Sequence, residues 1–374
     1  MPRFLVIALS VVGIVAAENA SAQQADVFRG RPPEAVFAPQ TAAPHVVTTV
    51  MHYGPGREER ITITRVGNWI REDHNHTGSG RKWIVFSDIS SGTSFSIGLD
   101  DNGHYRSLSI TRSRPTDSEY VSTRERTGQR ETALGEDCEV WNMAAGKNYP
   151  TRLDCVTRDG ITLWSRTSYG SSGIMRSEQA LSVERRQSTP DYVRPPNEVF
   201  AWAYWSRLGE GATSTFAAAQ DYEVTLSSAA GGDTRTIRRH FPWTYIDSVR
   251  PNGNKSLSIA SRTMRLYFEA DTRNQPISLS IIAQPEQPFP EPAPVRTKQP
   301  AQLVLGEVCT WFDTFPGARD IGSYECRTWD SIPLRITGIT WGHTSLDLRA
   351  TRITRRYLLV GAVAPPSIVF DWVH

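Results

Sequence analysis

Apolar and polar residues alternate with period two along most of the chain. Ile61 and Ile63 alternate with threonine, Phe95, Ile97 and Leu99 with serine and glycine, and Leu108 and Ile110 with serine. Leu257 and Ile259, then Met264, Leu266 and Phe268, then Ile277, Leu279 and Ile281 repeat the pattern further on. Successive side chains of a strand point to opposite faces, so strict alternation predicts strands with one buried and one wet face, paired antiparallel. Gly78-Ser79-Gly80, Asn102-Gly103 and Asn252-Gly253 separate the runs as turns. Pro32-Pro33, Pro195-Pro196 and Pro365-Pro366 each precede an apolar phrase. Proline suits the first helical turn, where its missing N–H has no partner anyway, so short helices are expected from Pro33 and Pro196, closing each half.

The chain is written twice. Leu134-Gly135-Glu136-Asp137-Cys138 leads to Cys155-Val-Thr-Arg-Asp159-Gly-Ile161-Thr-Leu163, and Leu305-Gly306-Glu307-Val308-Cys309 leads to Cys326-Arg-Thr-Trp-Asp330-Ser-Ile332-Pro-Leu334. The two motifs are offset by 171 positions (309 − 138), and Arg185-Arg186 matches Arg355-Arg356 at 170 (355 − 185). The expected fold is mainly β (α+β): two tandem repeats, residues 31–205 and 206–374. Each repeat is an antiparallel meander curled into an incompletely closed barrel with one or two short helices. The clearest difference between the repeats is the proline-rich stretch 285–300, expected as an extended surface connection or a partner-docking segment. Its counterpart, 112–130, is charged and polar.

Residues 1–22 have the form of a secretory signal peptide. Arg3 is followed by an apolar run from Phe4 to Ala17 and the small-x-small site Ala20-Ser21-Ala22. The run is shorter than a membrane span, although a short amino-terminal anchor is the alternative. The expected location is the periplasm, without lipid anchoring, because the residue immediately after the cleavage site is Gln23 and not cysteine. Four cysteines in an exported chain imply two disulfides, and the equal spacing of 17 in each repeat (155 − 138, 326 − 309) selects Cys138–Cys155 and Cys309–Cys326. Each closes a loop worth roughly 3 kcal/mol. A zinc site or redox pair is the alternative, but Cys-x-x-Cys and clustered histidines are absent from the sequence. The formal net charge of +2 gives no nucleic-acid footprint.

Candidate chemistry is sparse. Glu72, His74 and His76 share one face of a strand, an arrangement that converges on a metal if a third ligand comes from elsewhere. Ile246, Ser248 and Arg250 stand near those positions in the second repeat, so the duplication does not preserve the set. Gly170-Ser171-Ser172-Gly173 lacks the spacing of a nucleophile elbow. Asp100-Asp101 and the repeated Asp159 and Asp330 are expected as turn caps. With no catalytic motif, no catalytic residue, metal or cofactor is expected. The eleven tryptophans need an apolar place, and Trp69, Trp83, Trp164, Trp202, Trp205 and Trp243 either fill the core or line a site for an apolar ligand.

Gly67-Asn68-Trp69-Ile70-Arg71, the Leu-Gly-Glu-x-Cys phrase and the returning Cys-x-Thr-x-Asp follow an order in which each half resembles the LolA/LolB-like (DUF4412-type) exported β-rich bacterial domains. The resemblance implies an incompletely closed antiparallel barrel with helices against its open side, holding lipid chains in some members. That group is usually a single unit, whereas this chain is double, and no ligand-binding residue is carried over. The function expected is an exported, non-enzymatic carrier or sensor of an apolar envelope ligand such as a lipid or acyl chain. The alternatives are an envelope protein-interaction module and, on the His74/His76 pair alone, a metal-dependent hydrolase.

Overall fold

The computed structural model describes residues 44–374 except 53–57, 77–79, 113–124, 143–150, 170–173, 210–220, 230, 286–288, 290–293, 317–320, 342 and 373–374. The signal peptide expected at 1–22, the helix expected from Pro33 and the loop at 170–173 lie outside the described residues. The chain forms two compact units, Ala25–Asn197 and Glu198–His374.

The described residues of the first unit form eleven strands: β1 (His45–His52), β2 (Glu58–Val66), β3 (Trp69–His76), β4 (Lys82–Asp88), β5 (Thr93–Leu99), β6 (Tyr105–Arg112), β7 (Glu125–Ala133), β8 (Glu136–Asn142), β9 (Thr151–Thr157), β10 (Thr162–Tyr169) and β11 (Ile174–Glu184). Neighbours in sequence pair antiparallel from β1 to β6 and from β7 to β11, and β1 pairs with β11. The result is one meander with β6 and β7 at its two ends, curled but not closed into a barrel.

The second unit repeats the order. It contains β12 (Tyr222–Ser228), β13 (Thr234–His240), β14 (Trp243–Val249), β15 (Lys255–Ala260), β16 (Met264–Ala270), β17 (Pro276–Ala283), β18 (Val295–Arg296), β19 (Gln302–Val304), β20 (Glu307–Asp313), β21 (Ile321–Arg327), β22 (Pro333–Thr340) and β23 (His343–Arg355). Here β12 pairs with both β13 and β23, and the short β18 and β19 share the outer edge of β20. Even an irregularity is copied. Leu181 is skipped where β11 pairs with β1, and Thr351 where β23 pairs with β12, leaving one unpaired residue in each.

Period-two burial puts the alternating apolar residues inward, as in β5 and β16. The core of the first unit includes Ile61, Ile63, Cys138, Cys155, Ile161, Leu163 and Ala180. That of the second has Ile237, Cys309, Cys326, Ile332, Leu334 and Ala350 at matching places. Each isoleucine or leucine among them contributes about 1.5–3 kcal/mol on burial. The disulfides Cys138–Cys155 and Cys309–Cys326 join neighbouring strands in each core, with Cα separations of 5.4 and 5.2 Å.

Helix is scarce. A 3-10 turn at Asn197–Phe200 and the helix α1 (Trp202–Gly209) follow Pro196, whereas Val360–Val363 and Ser367–Phe370 are single 3-10 turns. Four-residue runs between prolines and extended residues are too short to pass the helix nucleation barrier. Of the stretch 285–300, expected as an extended surface connection, the described residues are tied to the sheet at two places. Phe289 is buried beneath the Arg265 guanidinium (4.2 Å) and donates its N–H to the Arg262 carbonyl, while Val295 and Arg296 pair with β20.

Candidate functional site

The repeated motif builds the same clamp in both units. Leu134-Gly135 and Leu305-Gly306 are the two central residues of hairpin turns, with φ of 55° and 77° in the first and 52° and 77° in the second. Positive φ at both positions is the turn that matches the twist of paired strands, and glycine adopts it freely while leucine does not. The glutamate after each turn meets an arginine at the end of the long last strand. Arg185 donates Nη1 and Nη2 to Glu136 (2.8 and 2.5 Å) and Nε to Asp159 (2.6 Å). Arg355 does the same to Glu307 (2.7 and 2.5 Å) and Asp330 (2.6 Å). The aspartates also accept from Thr157 and Thr328, whose hydroxyls receive the Ile161 and Ile332 N–H groups.

Hydrogen bonding from Arg185 holds Asp159 down at about 2 and lowers Glu136; Arg355 likewise lowers Asp330. The carboxylates in return raise both guanidinium groups. The sequence repeats these residues in both halves and predicts the aspartates as turn caps; the structure adds that each also meets the arginine of its own unit. Asp100 and Asp271, by contrast, are plain turn caps. Asp100 accepts from the Asn102 and His104 N–H groups, and Asp271 from those of Arg273 and Gln275.

Around the clamp the units part company. In the second unit an open depression of about 420 Å³ is lined by Glu307, Val308, Trp329 and Arg355. Trp329 is 86% exposed, and Leu303 and Val308 are 63% exposed each. At the 171 offset the first unit has Thr132, Asp137 and Arg158 instead of Leu303, Val308 and Trp329. An apolar rim therefore surrounds the ion cluster in one unit only.

The first unit has its own polar centre. His74 on β3 is buried between two carboxylates, its Nδ1 2.6 Å from Glu59 and its Nε2 3.1 Å from Glu72, with the Trp83 ring stacked at 4.8 Å. Burial alone would push the imidazole down, but the hydrogen bonds and charges of Glu59 and Glu72 outweigh it and hold the group up at about 9. Both ring nitrogens are engaged, and among the described residues no group of three His, Cys, Asp or Glu side chains is placed to hold a metal. Counting from Trp69 and Trp243, Glu72, His74 and Ile61 correspond to Ile246, Ser248 and Arg235. Arg235 is buried with no hydrogen-bond partner for its Nε among the described residues, and burial lowers its guanidinium.

The six tryptophans singled out from the sequence occupy different surroundings. Trp164 belongs to the first unit's core and donates Nε1–H to Glu131 (3.1 Å). Trp205 is fully buried and donates to the Val199 carbonyl (2.8 Å), and Trp243 is buried against Trp202 with ring centroids 5.3 Å apart. Trp69 lies alongside Phe95 (6.0 Å), and Trp83 covers His74. The most exposed of the aromatic residues at the rim, Trp329, was not among them. Its signal was available as the change from Arg158 at an otherwise repeated position.

No protein-family model matches the chain, and no curated protein matches it significantly in sequence. Among solved structures, an uncharacterised conserved protein from Thermus thermophilus is similar at 9% identity, covering 47% of this chain and 96% of that one, with a TM-score of 0.33. MucB, in the MucA/MucB complex of Pseudomonas aeruginosa, is similar at 11% identity over 68% of this chain and 91% of that one, with a TM-score of 0.29. The LolA superfamily protein NE2245 from Nitrosomonas europaea shares 11% identity over 44% of this chain and 94% of that one, with a TM-score of 0.23. One of these neighbours bears the name of the group that the motifs resemble, at a likeness too low to say anything about ligand or activity.

Proposed function

We propose that the chain is an exported, non-enzymatic binding protein that carries or senses an apolar envelope ligand, a lipid or acyl chain, at the rim of the second unit. The observation that carries this reading is the exposed apolar set Leu303, Val308 and Trp329 beside a depression of about 420 Å³. Glu307 and Asp330 are each already hydrogen-bonded to Arg355, so neither carboxylate at the rim is without a partner. Two disulfides suit an oxidising compartment, and among the described residues no helix is long and apolar enough to cross a membrane. Calorimetric titration with laurate is expected to show saturable binding that Val308→Asp with Trp329→Arg abolishes. Binding unchanged by that pair, or no binding at all, sinks the reading. The openness of the depression favours a second occupant, an envelope protein, and a chain that takes up no laurate but co-purifies in a defined stoichiometry with one such protein supports that alternative.

A further inference from the structure

Strand register places four turns and chain ends of the second unit at one end of its sheet. Leu305 lies between β19 and β20, Trp329 between β21 and β22, and Phe241 between β13 and β14, while Tyr357, Leu359 and Val360 follow β23. These residues are exposed: Tyr357 by 76% and Leu359 by 73%, with Phe241, Leu305 and Val360 about half or more. A polar staple beneath them makes the set continuous. Arg355 reaches the turn that carries Trp329 through Asp330, and the Tyr357 ring packs edge-on to His240 at 5.6 Å. Asp221 accepts from the Leu358 N–H (2.9 Å) and lies 2.8 Å from His240 Nδ1.

The first unit serves as an internal control on the same frame. Its residues corresponding to Leu303, Val308, Trp329, Tyr357, Leu359 and Phe241 are Thr132, Asp137, Arg158, Gln187, Thr189 and Gly67. Of the whole set, the turn leucine is kept in both, and Val360 has Pro190 in its place. Charge changes as well. Glu131, Asp137 and Glu184 of the first unit become Gln302, Val308 and Thr354. Arg186 pairs with Glu184 at 3.4 Å, whereas its counterpart Arg356 is exposed beside Tyr357 and has Thr354 in place of that carboxylate.

Apolar side chains on separate turn tips, with Trp and Tyr among them and an arginine alongside, suit a surface that is apolar inside and charged at its boundary. We propose that this end of the second unit docks on an anionic phospholipid bilayer, inserting Leu305, Trp329, Tyr357 and Leu359 to headgroup depth while Arg356 meets lipid phosphates. The proposal deepens the function above and shares its rim: the bilayer is the surface from which an apolar ligand is taken or on which it is sensed.

The test is flotation of the purified chain with vesicles of phosphatidylglycerol and phosphatidylethanolamine, beside vesicles of phosphatidylcholine alone. The chain is expected to float with the anionic vesicles. The variant Trp329→Arg, Tyr357→Gln, Leu359→Thr, which installs side chains that the first unit already folds with, is expected to lower the partition at least tenfold. The chain floated begins at Gln23, without the apolar run Phe4–Ala17, so flotation reports the rim. Each basic residue near an anionic surface strengthens binding roughly fivefold, so Arg356→Gln is expected to weaken flotation on anionic vesicles by about fivefold and to leave it unchanged on phosphatidylcholine. A wild-type chain that stays at the bottom of the gradient, or a triple variant that floats like wild type, overturns the proposal. Laurate binding that persists in a chain that never floats overturns docking while leaving the ligand reading intact; loss of both overturns both.

Discussion

The two units share a backbone plan, a disulfide, a Leu-Gly turn and an arginine clamp, yet differ in where they keep their unusual chemistry. The first buries it, as His74 held between Glu59 and Glu72. The second exposes it, as an apolar rim around Arg355 and Glu307. What stayed constant is therefore the frame that lets a sheet curl and stop. What varied lies one residue to either side of that frame: Val308 follows Glu307 and Trp329 precedes Asp330. Neighbouring positions on a strand or turn face different surroundings, so a frame residue and its neighbour answer to different demands.

If the frame is truly common, its removal should cost the same in both units. Replacing Cys138 and Cys155 by alanine, or Cys309 and Cys326, is expected to destabilise the chain by about 3 kcal/mol in each case, since each bond closes a 17-residue separation. Urea denaturation of the two double variants checks this, and costs differing by more than about 1 kcal/mol would show that the frames are not equivalent.

The buried histidine predicts a pH dependence belonging to the first unit alone. His74 is raised from 6.5 to about 9 in the fold, so its stabilisation is fully present below pH 6.5 and is lost as pH rises through about 9. Each pH unit between those two values is worth about 1.36 kcal/mol, so the loss is at most roughly 3 kcal/mol. Hydrogen exchange should show β2 and β3 loosening across that window while β13 and β14 do not change. His74→Gln should abolish the difference, and loosening that survives it would assign the effect to another group.

The clamps should be unequal in a predictable direction. Asp330 has a side chain only 4% exposed, against 38% for Asp159. Arg355→Ala leaves a buried carboxylate uncompensated and is expected to cost about 2 kcal/mol, whereas Arg185→Ala, next to solvated partners, is expected to cost less than about 1 kcal/mol. Equal losses in melting temperature would mean that burial of Asp330 does not set the difference.

Much of the fold was legible in the sequence because period-two alternation and a constant offset are local and countable. Ile61, Ile97, Leu108, Leu266 and Ile281 all point inward as their alternation requires, and the cysteine spacing gave both disulfides. The clamp was half legible. Glu136, Asp159 and Arg185 each recur at the offset, but they come from three segments up to 49 positions apart, and only the successive pairing of β8, β9, β10 and β11 brings them to one end of the sheet. The rim was hidden for a different reason. A duplicated chain draws attention to what is repeated, while Leu303, Val308 and Trp329 show themselves only where the copies disagree.

The smallest effect concerns the one apolar rim residue that both units kept. Leu134 and Leu305 hold φ of 55° and 52°, a left-handed conformation that costs an L-residue roughly 1–2 kcal/mol and that asparagine tolerates far better. Both leucines are about half exposed, at 49% and 48%, so core packing does not explain their retention. Leu134→Asn and Leu305→Asn are each expected to raise stability by about 0.5–1 kcal/mol, read as a higher urea midpoint. If the rim works as inferred, Leu305→Asn should also weaken vesicle flotation, because a polar amide then stands where the apolar tip enters the lipid. Leu134→Asn, surrounded by Thr132, Asp137 and Arg158, should gain stability and leave flotation untouched. Equal weakening by both substitutions would mean that the first unit also meets the membrane, and the asymmetry drawn between the units would have to be given up.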